Sequence, residues 1–507
     1  MPRAVSPSVC LPAGLLVAGF LAISPARAVG QALTRDTPLP AADLRADLAV
    51  LRRAYTELHP GLLRYNSAAE IAARFDEVDR YFTQDRTLGD AFLALTRLTA
   101  AVRCGHSYPN FYNQPAAIQA ALFEADDRLP FEFRWLDRRM VVTTDRTPDH
   151  LLPRGTVIER VDGVPTPTIL DSLLPLARAD GGNDAKRIAY LGVQGEERWH
   201  PFDILYPLVF PRATDSYELQ VRRPGEARTA TLRVAPRSAA ARRGDGAPAS
   251  TSAPDAPLWR FTVEGGVGIL SMPTWVLYNS TWDARAWLDG VLVRVRQEAI
   301  TDLVIDLRGN EGGSDLGNEL LAHFLREPVT RPPVERRVRY RAVPAELDPV
   351  LDTWDDAFRD WGEAARGPGE DGFYRLVDDG GGSGERTIRP LDPAFGGRLW
   401  VLVDGANSSA TFSFALAVQE TGVGTLVGEP TGGNRRGING GAFFFVRLPR
   451  TGLEVDLPLV GGFPAEEQPD AGVVPDLVVV PTANQVAAGV DPAMDLVRER
   501  IARLRGG

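Results

Sequence analysis

Apolar and polar positions divide the chain into three textures. From Pro40 to about Cys104 the spacing is helical: in "AADLRADLAVLRRAYTEL", Leu44, Leu48, Leu51 and Tyr55 recur at three- and four-residue steps. "SAAEIAARFDEVDRYF" and "TLGDAFLALTRLTAAV" repeat the pattern, with Ser67 and Thr87 as N-caps that carry an acid three residues on. A loop, "RCGHSYPN", ends this region. From about 128 to 236 the period shortens to two, and "FEFRW", "RRMVVTTD", "TVIERVDG", "SYELQVRR" and "ARTATLRVA" read as short strands, interrupted by one helix, "TPTILDSLLPLARA". From Trp259 the strands are nearly continuous apolar runs ("GVGILSM", "DLVIDLR", "LWVLVDG", "GTLVGE"), alternating with helical stretches that include "WDARAWLDGVLVRVRQEA", "DLGNELLAHFL" and "SSATFSFALAVQET". Apolar strands alternating with helices predict crossover units and a sheet buried on both faces.

The seams are compositional. Arg3, an apolar stretch and the pair Ala26 and Ala28 predict a signal peptide over residues 1–28. A helical domain over 29–127 and a β-rich module over 128–236 follow. Small, polar and proline-rich "RSAAARRGDGAPASTSAPDAP" (237–257) predicts a linker. An α/β domain then covers 258–507, with the acidic, glycine-containing stretch 330–392 expected as a surface insertion or lid.

Bulk numbers narrow the chemistry. The 507 residues are 44% hydrophobic and 24% charged, with a formal net charge of −10, which argues against nucleic acid as a partner. Beyond the N-terminus no apolar run reaches the roughly 18 residues of a membrane helix, so no stable membrane insertion is expected. Cys104 is the only cysteine after the predicted cleavage, which leaves no internal disulfide. Lys186 is the only lysine; the histidines are His59, His106, His150, His200 and His323.

Three glycine-rich turns follow apolar strands. They are "DLRGNEGGSD" (306–315), "VDGANSSATF" (403–412) and "GEPTGGNRRG" (428–437). The first is not a phosphate-binding P-loop, since no Gly-Lys-Ser/Thr follows, and the second is not the G-x-S-x-G elbow. Taken alone, each reads equally as an ordinary turn, and Ser408 or Ser409 as a helix N-cap.

In this order, and with "AGVVPDLVVVPT" at 471–482, "ELHPGLLRY" and "AAVRCGHSYP", the three turns resemble the tail-specific proteases, peptidase family S41. The resemblance implies a crotonase- or ClpP-like α/β core, with a PDZ-like module at 128–236 that would capture an extended peptide or a C-terminal carboxylate. It implies Ser409 as nucleophile, with oxyanion donors from Ala410 and from Gly312 or Gly313, and leaves Ser408 as a capping or packing residue. The Ser–Lys branch places lysine where this chain has Asn434, and an amide is no base. Lys186 is expected on the solvated surface. The histidine-using branch, similar to tricorn protease and the retinoid-binding modules, points to His106, whose ordinary pKa suits a base; His59 reads as a structural helix-end residue. In that branch a serine precedes the histidine and a glutamate helps to orient it. Here Gly105 precedes it, Ser107 follows, and the orienting acid is expected to be Glu467, with Glu466 and Asp470 as alternatives.

The expected function is that of a secreted or periplasmic serine peptidase acting on peptide or unfolded protein, without cofactor or metal. No His/Cys/acid cluster shows ligand spacing in the sequence. The alternatives are a non-catalytic ligand- or peptide-binding protein on the same fold and a hydrolase of non-peptide esters or amides.

Overall fold

The computed structural model describes residues 32–195, 197–243, 256–278, 280–377 and 386–506. The predicted signal peptide lies outside the described residues, as does most of the predicted linker. Of the linker, 237–243 and 256–257 are described, and the first part is anchored: Arg242 is buried and donates to the buried carboxylate of Asp203 at 2.6 Å.

The helical region forms as its periodicity predicts. Helix Ala41–Leu58 buries Leu44, Leu48, Leu51 and Tyr55. Helices Ala68–Tyr81 and Leu88–Ala101 open with full capping boxes, Ser67 with Glu70 and Thr87 with Asp90, each reciprocal pair satisfying two N–H groups that the first helical turn leaves open. The region 128–236 is an antiparallel sheet in the order Phe131–Leu136, Arg139–Asp145, Val157–Val161, Tyr217–Arg222, Ala230–Val234. Helix Thr166–Leu173 packs on it, as do two helices that the apolar pattern does not single out, Asp184–Tyr190 and Pro201–Val209.

The α/β part is a six-stranded sheet in the order Leu477–Val478, Gly424–Gly428, Arg398–Val403, Asp302–Asp306, Val267–Ser271, Arg260–Glu264, parallel except for the last strand. Successive side chains alternate between its faces. Leu303, Ile305, Val401 and Val403 pack beneath helices Ala284–Gln297, Gly317–Ala322 and Ser409–Thr421. Val304, Trp400 and Leu402 pack beneath helix Pro492–Gly506.

The segment 330–392 is not a free-standing lid. Its strand Val334–Val338 pairs antiparallel with Glu454–Pro464, and Tyr374–Leu376 pairs with Val334–Val338 in turn. They complete a second six-stranded sheet around the hairpin Asn439–Arg447/Glu454–Pro464. Val338, Tyr340 and Ala365 are buried in the core that also holds the N-terminal helices and the 128–236 sheet. The N-terminal helices, the 128–236 sheet and this second sheet thus share one apolar core, distinct from those on the two faces of the parallel sheet. Among the described residues, no helix is long and apolar enough to cross a membrane.

Candidate active site

Parallel α/β sheets present their loops at the carboxyl ends of the strands. Two such loops, after Asp302–Asp306 and after Arg398–Val403, are stitched together by Asn407. Its side chain is fully buried; Nδ2 donates to the Leu307 carbonyl at 2.6 Å and to the Asn310 carbonyl at 3.0 Å, while Oδ1 accepts from Asp404 N at 2.8 Å. Thr411 Oγ1 adds a bond to the Asn310 carbonyl at 2.9 Å. Ser408 stands at the N-cap position but does not cap with its side chain; its hydroxyl donates to the Glu311 carbonyl at 3.0 Å.

Ser409 begins helix Ser409–Thr421 at φ +51°. A non-glycine residue there carries strain on the order of 1–3 kcal/mol, a cost met where the surrounding bonds over-determine the backbone. Gly312 packs directly on it: a Cβ at 312 would lie 2.8 Å from Ser409 Cβ and 3.0 Å from Ala410 N. The Gly312 N–H is already engaged by Asn310 Oδ1 at 2.9 Å. Among the described residues, the N–H groups of Ala410 and Gly313 donate to no acceptor. Of the two glycines considered as oxyanion donors, Gly313 is therefore the one with a free N–H.

His106 reaches this region through long-range ties. Asn110 and Asn113 donate to the Asp456 carboxylate at 2.8 and 2.9 Å, Asp456 N donates to the Tyr108 carbonyl at 3.0 Å, and Asn439 Nδ2 contacts Cys104 Sγ at 3.4 Å. Arg178 stacks 4.2 Å over the Tyr108 ring and donates to the Gly105 carbonyl. Asp180, 2% exposed, accepts from Gly105 N at 2.9 Å. A Cβ at 105 would sit 2.9 Å from Asp180 Oδ2, so glycine at 105 permits this approach. His106 Nδ1 is buried without a hydrogen-bond partner, and the Phe443 ring lies 5.7 Å away. Burial lowers the His106 pKa, and Asp180 opposes that shift. Among the described residues, His106 and the Ser409 hydroxyl form no hydrogen bond.

Between the two halves lies a charged cluster of Lys186, Arg178 and Glu311. Lys186 is not on the solvated surface. It is 2% exposed, and Nζ donates to Glu311 Oε1 at 2.7 Å and to the Ala406 carbonyl at 3.0 Å. Arg178 donates to the other Glu311 oxygen at 3.0 Å. Burial works against the Glu311 carboxylate, yet Lys186 and Arg178 hold its pKa down at about 2. Lys186, lowered by burial and supported by Glu311, is an ion-paired donor.

Asn434 is fully buried and structural. Its Nδ2 donates to the Asp180 carbonyl at 3.1 Å and to Asp470 Oδ1 at 2.7 Å. Asp470 is thereby occupied, and it also accepts from Gly182 N at 2.9 Å. Glu466 and Glu467 are exposed, and neither acts on His106; the carboxylates that do are Asp180 and Glu311. Asp180, rather than the expected Glu467, is thus a carboxylate beside His106. Only "DGGND" hinted at it, as an acid beside paired glycines. His59 is a buried helix end, as expected, with Nε2 2.8 Å from Ser107 Oγ and a pKa that burial lowers to about 3. Spacing along the sequence does not reveal that one potential ligand atom each of Cys104, His106 and Asp180 converge within 4.8 Å of one another.

Residues 266–443, which contain all three glycine turns and with them Ser409 and Asn434, match the model of peptidase family S41. No curated protein matches the chain in sequence. Among solved structures, mature CPAF complexed with lactacystin is similar at 16% identity and TM-score 0.61, over 92% of this chain and 99% of that one. A CPAF mutant is similar at 15% and 0.60, over 92% and 98%, and mature CPAF at 15% and 0.56, over 88% and 94%. At these identities the likeness establishes a shared fold, mixed α/β throughout.

Proposed function

We propose that the chain is a serine peptidase of the histidine-using kind, with Ser409 as nucleophile, His106 as general base and Asp180 as the acid that orients the base. The observation that carries this reading is the pair of unpartnered N–H groups, Ala410 and Gly313, beside a Ser409 held at positive φ. Donors fixed in advance where an oxyanion develops are worth about 10²–10³-fold in rate each. His106, its pKa lowered by burial, is neutral at pH 7 and able to accept the Ser409 proton. Ser409 Oγ then attacks the carbonyl carbon, the carbonyl oxygen takes the negative charge against the two N–H groups, and the proton passes from His106 to the leaving amine. Water, deprotonated by the same histidine, releases the acyl group. Asp180, close to a ring nitrogen of His106, favours the imidazolium formed midway.

The family match over the Ser409 half of the site and the CPAF-like fold support this reading. The crotonase-like description of the parallel sheet, the PDZ-like role of 128–236 and a periplasmic or secreted location belong to the same proposal. A binding protein without catalysis is the second reading, favoured by the missing Ser409–His106 hydrogen bond; in apo enzymes such bonds are often long and tighten only with substrate. A fluorophosphonate probe decides between them. Labelling of the wild type, lost in Ser409→Ala and much reduced in His106→Ala, is the expected result; an unlabelled wild type overturns the peptidase reading. Hydrolysis of esters with none of peptides would replace it by a non-peptide hydrolase.

A further inference from the structure

Cys104, His106 and Asp180 each offer one donor atom, and these atoms lie within 4.8 Å of one another. Sulfur, imidazole nitrogen and carboxylate oxygen form a donor set suited to zinc. A tetrahedral zinc needs its ligand atoms roughly 3.4–3.6 Å apart, from bonds of about 2.0–2.3 Å, so small side-chain rotations close the site. Two further observations point to a ligand. His106 Nδ1 is buried with no hydrogen-bond partner, a condition that a native interior rarely leaves unanswered. Asp180 commits Oδ1 to Gly105 N, and Oδ2 has no partner among the described residues. Cys104 is the one free cysteine among the described residues and is buried, with polar contacts from Asn439 Nδ2, Ser107 and the His106 N–H.

We propose that Cys104, His106 and Asp180 form a three-ligand zinc site that reversibly switches off the base. A neutral imidazole bound to metal through Nδ1 carries its remaining proton on Nε2. The atom that would receive the Ser409 proton then becomes a donor and accepts nothing. Coordination also expels the thiol proton to solvent, so zinc binding releases a proton and strengthens as pH rises. The fourth position is left to water or to a substrate carboxylate. The inhibitory part rests on His106 being the base; the binding part does not.

Two measurements keep these apart. In the first, the full chain is titrated with Co²⁺ and its absorption spectrum recorded. The expected result is a thiolate-to-cobalt charge-transfer band in the wild type that is absent in Cys104→Ala. No band in the wild type, or an unchanged band in the variant, overturns the site whether or not the protein is a peptidase. In the second, hydrolysis of a reporter peptide is followed against Zn²⁺ with EDTA reversal. Zinc should inhibit the wild type reversibly, and Cys104→Ala, measured against its own zinc-free rate, should lose at least tenfold in sensitivity, since even outer-shell partners of a metal are worth about 10–100-fold in affinity. Equal inhibition of both proteins overturns the switch. If Cys104→Ala is poorly folded by circular dichroism, Cys104→Ser, which keeps the size of the side chain, takes its place under the same criteria.

Discussion

The two halves of the candidate site are built in different ways. The Ser409 half is a product of adjacent loops. Two neighbouring parallel strands, Asp302–Asp306 and Arg398–Val403, end side by side, and Asn407 and Thr411 lock their turns through short bonds to backbone carbonyls. The His106 half is gathered from afar. Its loop leans on Asp456, Asn439, Arg178 and Asp180, which come from the hairpin and from the segment that follows helix Thr166–Leu173 within the β-rich module. Backbone geometry sets the first half and long-range side-chain bonds set the second. The nucleophile half should therefore tolerate little chemical change but survive distant ones, and the base half should do the opposite.

The largest effect tests the first half. Ser409→Ala removes the attacking atom and should lower kcat by on the order of 10⁶-fold, the scale found when a hydrolase loses its nucleophile. Circular dichroism and melting should be unchanged, because the Ser409 hydroxyl has no structural partner among the described residues. A variant that retains most of its activity would remove Ser409 from the mechanism.

Asp180→Asn tests the second half and comes next. It keeps the shape but loses the charge, so kcat should fall by roughly 10²–10⁴-fold, the range of an acid that orients a catalytic histidine. The sign of the pH effect is fixed. Burial lowers the His106 pKa and Asp180 raises it, so losing the carboxylate lowers it further. In the wild type the acidic limb of kcat/KM, measured with EDTA present, should lie below the ordinary histidine value near 6.5. In Asp180→Asn it should move lower still. A limb that stays put, or a Glu467→Gln variant that shifts it instead, would return the orienting role to Glu467.

This contrast also explains what the sequence made legible. The Ser409 half follows from contiguous signals: apolar strand, glycine turn, helix. The periodicities behind Leu44 to Tyr55 and the capping boxes at Ser67 and Thr87 are equally local, and those elements form as expected. Asp180, Lys186 and Glu311 escape because their roles exist only once segments up to 220 positions apart meet. Lys186 looks like any surface lysine until its ammonium group is seen between Glu311 and the Ala406 carbonyl. Segment 330–392 misleads for a related reason. Its polar composition suggests a lid, but a strand needs only its alternate residues apolar, and the pairing of Val334–Val338 with Glu454–Pro464 is invisible in one segment read alone.

The ion pair between the halves gives a smaller, directional effect. Lys186 is almost fully buried, whereas the Glu311 side chain keeps 40% of its surface exposed. Removing the acid strands a buried ammonium with only the Ala406 carbonyl for company, and removing the base leaves a carboxylate that still has water and Arg178. Glu311→Gln should therefore destabilise more than Lys186→Met in urea unfolding. Both should cost less than the about 3–5 kcal/mol of a fully buried pair that loses one member. Stability loss from Glu311→Gln should also grow toward neutral pH relative to wild type. The Glu311 pKa of about 2 lies below its unfolded value, so its contribution is present above that unfolded value and is lost as pH falls through the folded one. The reverse order of the two variants would mean that Glu311, not Lys186, is the desolvated partner.

The smallest effect separates stability from positioning. Ser67 caps helix Ala68–Tyr81 through reciprocal bonds with Glu70 at an exposed site. That helix lies in the same N-terminal stretch as His106, yet none of the ties named for the His106 loop passes through Ser67. Ser67→Ala should cost about 1 kcal/mol in urea unfolding and leave the acidic limb of the pH–rate profile where it was. If the limb moves with this local cap, the helical scaffold as a whole sets the position of His106. The contrast between a locally built nucleophile and a remotely tied base would then have to be redrawn, because the base half would also depend on local helix geometry.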